Sequence, residues 1–353
     1  MRTLRFLPEA ALRYHRTFTP HRGWNIAQVA ASYVLSRLSG RDVRMGRPFV
    51  LMVEPTSICN LSCPLCASGN GTLARRAGTM ALDIFSRVLE KQARDLVLLM
   101  LWNQGEPFIN RDLTGMVRLA KARNITTVTS TNGHFIRSPE EADDVVDSGL
   151  DEIIVSLDGA TPETYVKYRV GGDFERVIDG ARLLVAAKRR RASATPLIHL
   201  QFIVMKQNED EIDAARDLAR ELQVDHFSVK TAQVYTSDEA STFLPRDNRY
   251  SRYRSREGDP VMKSRIPNTC RHLWYSTVVN WDGTVSPCCF DKNGQFPLGD
   301  ALDNGRSFDE IWSGPDYTAF RNAMLKDRSS IPICSNCSEG LDGLFYDVEV
   351  VRP

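Results

Sequence analysis

The sequence predicts an α/β fold built on a parallel sheet and followed by a smaller cysteine-rich region. Three observations carry that expectation. From about residue 48, six apolar runs alternate with five amphipathic segments of helical period, and strands alternating with helices mean βαβ units. The eight cysteines fall into an early group and a late group. A chain of 353 residues exceeds one average domain and suits one large domain with an appendix.

The totals narrow the function. Lys and Arg number 45 against 44 Asp and Glu, so the whole chain has no electrostatic footprint for nucleic acid. Eight cysteines without a cleavable signal sequence argue for a reducing compartment, expected here to be the cytoplasm, where clustered thiols more often hold metal than form disulfides. No apolar run approaches the ~20 residues needed to cross a bilayer, so no transmembrane segment is expected.

Residues 1–47 read as an N-terminal helical extension. Residues 1–23 are basic and aromatic, and Trp24–Leu38 follows with Ile26, Val29, Ala30, Tyr33, Val34 and Leu38 on one apolar stripe before Gly40 stops the helix. The stripe is expected to pack against the main domain; a basic amphipathic start also suits peripheral membrane contact.

Residues 48–234 form the core. Strands are expected at Phe49–Val53, Leu96–Leu101, Thr126–Ser130, Glu152–Ser156, Ile198–Val204 and His226–Val229, and helices at Ala81–Arg94, Leu113–Ala122, Glu140–Asp147, Phe174–Arg190 and Glu209–Leu222. In such a parallel sheet the functional groups gather at the carboxyl ends of the strands. The basic run Lys188–Arg191 reads as a solvated last helical turn that complements the helix dipole.

Residues 235–268, rich in Ser, Arg, Asp and Pro, suit a linker or a flap over the barrel mouth. Residues 269–353 hold the second cysteine group. Thr277–Ser286 reads as a hairpin with an Asp282-Gly283 turn, and a helix is expected over Phe308–Leu325.

The chemistry sits on Cys59-Asn-Leu-Ser-Cys63-Pro-Leu-Cys66, just after the first apolar run. Three thiols on one loop can bind three corners of a four-iron cluster and leave the fourth open, whereas a closed structural site normally has four protein ligands. A zinc knuckle is the alternative, disfavoured because no histidine lies near enough in sequence to complete a local set.

This Cys-x3-Cys-x2-Cys pattern resembles the signature of the radical S-adenosylmethionine (radical SAM) enzymes, although Leu65 stands where the family usually has an aromatic residue. The resemblance implies a partial (β/α)6 TIM-like barrel. It implies a [4Fe–4S] cluster on Cys59, Cys63 and Cys66, with SAM chelating the fourth iron and being cleaved to a 5′-deoxyadenosyl radical. It further implies SAM contacts from the strand-end loops. Gly105 and Glu106 in Asn103-Gln-Gly-Glu-Pro107 match the family's Gly-Gly-Glu-Pro, with Gln104 in place of the first glycine. Ser130 and Asn132 follow the third strand, Ser156 and Asp158 the fourth, and Arg169 matches an arginine facing the SAM carboxylate. Taken singly, Asp158 could equally be a capping residue and Arg169 a surface ion pair.

Cys270-x12-Gly283-x4-Cys288, a helix and then Cys334-x2-Cys337 is similar to the accessory domain of the SPASM/Twitch subfamily. That implies a second, auxiliary [4Fe–4S] cluster fully ligated by Cys270, Cys288, Cys334 and Cys337. Only 16 residues follow Cys337 and none is cysteine, so one auxiliary cluster is expected, as in 2-deoxy-scyllo-inosamine dehydrogenase. Cys289 is the spare, and spacing alone does not exclude an exchange with Cys288. Four thiolates also satisfy tetrahedral zinc.

The resemblance implies an oxygen-sensitive oxidoreductase reduced by a flavodoxin or ferredoxin and acting on a small molecule: an alcohol, aminocyclitol or sugar. A peptide or protein substrate, radical epimerisation, carbon–carbon bond formation and a lipid-like substrate delivered by the N-terminal helices remain alternatives. The reading from another class is a zinc-binding scaffold without catalysis.

Overall fold

The computed structural model describes residues 17–254, 258–339 and 346–351. Six parallel strands arise in chain order: β1 (Val50–Val53), β2 (Leu98–Leu101), β3 (Thr126–Thr131), β4 (Glu152–Ser156), β5 (Leu197–Val204) and β6 (His226–Thr231). Each pairs with the next, as in Met52 opposite Met100 and His199 opposite His226. Between them run α2 (Leu82–Glu90), α3 (Leu113–Lys121), α4 (Pro139–Asp147), α5 (Pro162–Tyr168), α6 (Phe174–Arg190) and α7 (Ile212–Leu222), with α1 (Pro20–Ser39) ahead of the sheet. This is the partial (β/α)6 TIM-like barrel that the sequence implied.

Alternation sorts the side chains. On β4, Ile153 and Val155 are buried against Ala181, Leu184 and the other helix-borne residues of the core, while Glu152, Ile154 and Ser156 face the lumen. The lumen floor, at the amino ends of the strands, is polar: His199 lies with Nδ1 3.1 Å from Glu152 Oε1 and Nε2 2.7 Å from Ser228 Oγ, and its ring meets His226 edge-on.

An open barrel leaves two edges of unpaired backbone, which invite pairing. The C-terminal region covers both. Strand β7 (Ser276–Val279) pairs in parallel with β1 and continues through β8 (Thr284–Ser286) to β9 (Gly299–Asp300), while β10 (Tyr346–Val350) runs antiparallel to β6. The Asp-Gly turn forms, with Gly283 at φ +91° and its α-carbon against Leu302, where a β-carbon would lie 2.5 Å away.

Three expectations need correction. The helix over 308–325 is broken into α10 (Phe308–Trp312) and α11 (Pro315–Asp327), because Pro315 starts a new first turn after Gly314. Lys188 is not solvated: it is buried and its Nζ lies 2.6 Å from Asp225 Oδ2, while Arg190 and Arg191 pair with Asp143. Helix α1 exists, with Thr19 capping its start and Gly40 in the left-handed conformation at its end, but only part of its apolar stripe faces inward. Val29 is buried and Ile26 and Tyr33 are half-buried, whereas Ala30, Val34 and Leu38 are exposed. Residues 1–16 of the expected basic segment lie outside the described residues.

Residues 235–268 carry α8 (Ser237–Phe243), set by a Thr236–Glu239 capping box, and pack over the barrel mouth. Leu244 and Tyr253 are fully buried in a second apolar cluster with Leu61, Cys63, Leu65 and Tyr168. The Tyr253 hydroxyl lies 2.8 Å from Asn336 Oδ1, tying this segment to the C-terminal region.

Candidate active site

The thiol loop begins where β1 ends. Cys66 N–H donates to the Cys63 carbonyl, and Gly69 and Asn70 N–H donate to the Cys66 carbonyl, which coils the loop tightly. Cys63 is buried, Cys59 and Cys66 half-buried, and the three sulfurs feel one another's charge. Burial pushes the Cys63 thiol up to about 11, with Arg169 pulling it back. Donors point at these sulfurs: Leu61 N–H 3.5 Å from Cys59 Sγ, Asn132 Nδ2 3.9 Å from Cys59 Sγ, and Arg169 Nη1 4.0 Å from Cys63 Sγ. Three thiols gathered on one tight loop and ringed by N–H donors fit an iron–sulfur cluster whose metal displaces their protons.

Gly105, Glu106, Asn132 and Arg169, the last with Asp158, converge on this loop. Gly105, at φ +76°, is pressed against it: a β-carbon there would lie 2.4 Å from the Thr56 carbonyl oxygen. Glu106 N–H donates to the Ile58 carbonyl. The Glu106 carboxyl turns inward, accepting from Thr131 Oγ1 at 2.7 Å, Phe108 N–H at 3.2 Å and Asn132 N–H at 2.6 Å. Burial pushes it up to about 7, those three donors opposing. Asn132 spans to Asn60 Oδ1 at 2.8 Å. Ser130 and Ser156 are half-buried on the lumen face. Asp158 is fully buried and grips Arg169. Burial would lower the Arg169 guanidinium, yet Asp158 and Cys63 raise it well above its ordinary value.

The late cysteines also come together. Cys270 precedes α9 (His272–Tyr275), Cys288 and Cys289 follow β8, and Cys334 and Cys337 lie in and just after α12 (Pro332–Ser335). Cys288 feels the charge of Cys289, Cys337 and Cys270, and Cys334 that of Cys337 and Cys270. Cys289 therefore belongs to the group rather than standing apart. Burial and mutual repulsion push Cys334 and Cys289 up to about 12 and Cys337 up to about 11. Glu339 N–H donates to Cys337 Sγ at 3.4 Å. A crowd of buried thiols destabilising one another's ionised forms fits a cationic centre here as well.

Several functional neighbours escaped sequence reasoning. Glu54, Arg75 and Trp281 join the two cysteine regions: Arg75 forks onto the buried Glu54 carboxylate, donates from Nε to the Lys292 carbonyl at 2.8 Å, and Glu54 also accepts from Trp281 N–H at 3.3 Å. Gly78 lies under the Trp281 ring, where a β-carbon would sit 2.4 Å from it. Arg252 and Lys230 stand at the carboxyl end of β6, within electrostatic reach of Glu339. None carries a local motif; only an acidic or basic residue at a strand end could have drawn notice.

One cavity of about 650 Å³ is walled by both regions. Leu65 and Ala67 flank Cys66 on one side, Phe290 follows Cys289 and Ser335 and Asn336 separate Cys334 from Cys337 on the other. Gln233, Glu239, Lys292 and Asn293 add polar groups to a lining that also holds Pro260, Phe290 and Ile333.

A barrel whose first strand feeds a three-thiol loop defines the class, and comparison with known families agrees: residues 53–219 match the radical SAM superfamily, so the chain carries a radical SAM domain. Residues 270–338 match the SPASM iron–sulfur cluster-binding domain, so it is a radical SAM protein of the SPASM/Twitch kind, whose domains bind a [4Fe–4S] cluster with SAM and auxiliary iron–sulfur. It is 34% identical over 191 residues to the PqqA peptide cyclase of Gluconobacter oxydans, covering 53% of this chain and 50% of that one. The chain spans about half the length of the curated relatives it matches first. Its fold resembles BtrN, solved with AdoMet and 2-DOIA, at TM-score 0.51 and 19% identity over 83% of this chain and 94% of that one. It also resembles Streptococcus suis SuiB bound to S-adenosylmethionine, at TM-score 0.58 and 16% identity over 82% and 71%. Among the described residues, no helix is long and apolar enough to cross a membrane.

Proposed function

We propose that the protein cleaves SAM reductively and uses the resulting radical to oxidise a small polar molecule, an alcohol, aminocyclitol or sugar, by two electrons. A cavity walled by both cysteine regions supports this reading most directly, because a substrate held there lies between a radical source and an electron acceptor. When bound, the two clusters and SAM supply the electron and radical chemistry; the protein's part is to orient and exclude water.

In this reading Cys59, Cys63 and Cys66 hold three irons of the SAM cluster, and Cys270, Cys288, Cys334 and Cys337 hold the auxiliary one, with Cys289 beside it. Gly105, Ser130, Asn132, Ser156 and Arg169 shape the SAM site. Glu106 and Asp158, whose oxygens are already engaged, are positioning residues: Glu106 fixes Asn132, and Asp158 fixes Arg169. A cytoplasmic setting with a flavodoxin or ferredoxin as donor completes the proposal.

A peptide substrate is the second reading, favoured by the 34% identity to a peptide cyclase. A lipid-like substrate delivered by α1 is disfavoured, since α1 sits at the strands' amino ends and the cavity at their carboxyl ends.

The test is anaerobic turnover with SAM and dithionite against an aminocyclitol and sugar panel and a peptide library. Formation of 5′-deoxyadenosine, with deuterium carried from a labelled small molecule and a product lighter by two hydrogens, is the expected result. Iron-replete protein that makes no 5′-deoxyadenosine, or a product of unchanged mass, overturns it.

A further inference from the structure

Helix α1 is inside out. On a surface helix the apolar stripe ordinarily faces the core. Here Arg22, Asn25, Ser32 and Ser36 are buried, with Val29 the one apolar residue among them. Asn25 donates to the Arg47 carbonyl, Ser32 to Met45 and Ser36 to Val43, which staples the helix to the segment that leads into β1. Arg22 donates to the carbonyls of Thr17, Ala93, Arg94, Arg123 and Asn124, closing the amino-end face of the barrel. At about 100° per residue, Trp24, Ala27, Ala31, Val34, Leu35 and Leu38 fall together on the opposite side.

The apolar side chains of that outer face are uncovered. Trp24 is 67% exposed, Val34 52%, Leu35 44% and Leu38 80%, with Phe18 at 59% just before the helix. A tryptophan and three aliphatic residues turned to solvent along one line need a partner. The charge distribution says which. Residues 1–41 contain seven arginines and one acid, Glu9, for a net charge of +6, whereas residues 42–353 carry a net −5. Arg37 and Arg41 are exposed at the end of the same helix. An apolar line with an aromatic residue and two exposed arginines at its end, in a segment of net positive charge on an otherwise acidic protein, matches an anionic bilayer surface, which offers hydrocarbon to the stripe and negative headgroups to the arginines.

We propose that the outer face of α1 docks the protein peripherally on anionic lipid. The amino-end face of the barrel then lies against the bilayer and the cavity mouth opens away from it. The proposal does not depend on the reading of the active site.

The test is sedimentation of the full, cluster-loaded chain with vesicles of phosphatidylcholine alone and of phosphatidylcholine with phosphatidylglycerol in equal parts. Binding to the anionic vesicles, at least about tenfold weaker on neutral ones and in high salt, is expected. A Trp24→Ser, Leu35→Ser, Leu38→Ser variant should bind at least about tenfold less while forming 5′-deoxyadenosine as the parent does. Brominated lipid should quench Trp24 fluorescence, judged against a Trp24→Phe variant, a readout that altered helix packing alone would not produce. The proposal is overturned if neither vesicle is bound, if the triple variant binds as well as the parent, or if the face proves to be covered otherwise. A dimer abolished by the triple variant would assign it to a second copy. Vesicle binding that appears only after residues 1–16 are deleted would assign it to the chain's own start.

Discussion

Asp158 holds Arg169 by two of its nitrogens, Nε at 2.6 Å and Nη2 at 2.5 Å from one carboxylate oxygen, and gives its other oxygen to the Ile203 N–H at 2.8 Å. One buried side chain thus joins the end of β4, the end of α5 and β5. It leaves Arg169 Nη1 turned toward Cys63 Sγ.

Asp158→Asn keeps an oxygen for Ile203 but leaves a buried guanidinium without its anion. Losing one partner of a buried pair costs about 3 kcal/mol or more. A lower urea midpoint and slower SAM cleavage at unchanged iron content are expected, measured by denaturation, iron analysis and 5′-deoxyadenosine release.

The two cysteine groups should separate cleanly. Cys63→Ala is expected to lower iron from about eight to about four per chain and to abolish 5′-deoxyadenosine. Cys334→Ala should lose iron as well yet retain uncoupled SAM cleavage, because its group lies across the cavity. Two zincs per chain in anaerobically purified protein would instead support the scaffold reading.

Gly105→Ala combines a left-handed backbone, at φ +76°, with a β-carbon 2.4 Å from the Thr56 carbonyl. Both are backbone conflicts that no rotamer relieves. A loss of about 3 kcal/mol is expected, together with displacement of the thiol loop, seen as a changed cluster signal in electron paramagnetic resonance.

Glu106 makes stability depend on pH. Its folded pKa is pushed up to about 7 by burial from an ordinary 4.5. Between those values the folded protein keeps a proton that the unfolded chain has released. Stability therefore falls as pH rises from about 4.5 to 7, by roughly 3 kcal/mol in all, and levels off above. Urea midpoints at pH 5 and pH 8 should differ in the parent and much less in Glu106→Gln.

Much of this was legible in the chain. The β4 and α6 boundaries match the expected ones, because the apolar run Ile153–Val155 and a 3.6-residue period on Phe174–Arg190 are local signals. The Asp282-Gly283 hairpin and both cysteine groups were readable for the same reason. What went unread has no local trace. Lys188 looked like the rest of its basic run until Asp225, on a distant loop, reached it, and the break at Gly314–Pro315 was overridden by the apolar period around it.

By itself the sequence determined the alternation of strand and helix, the two sets of thiols and hence the class of cofactor, since these depend on spacings of a few residues. The tertiary structure decided that the Glu106 and Asp158 carboxylates accept hydrogen bonds from the protein, that Arg75 and Glu54 tie the two cysteine regions together, and that α1 turns its polar side inward. Those outcomes rest on contacts between residues tens to hundreds of positions apart. There, a polar side chain is buried when distant carbonyls satisfy it, and no periodicity within one segment records where those carbonyls are.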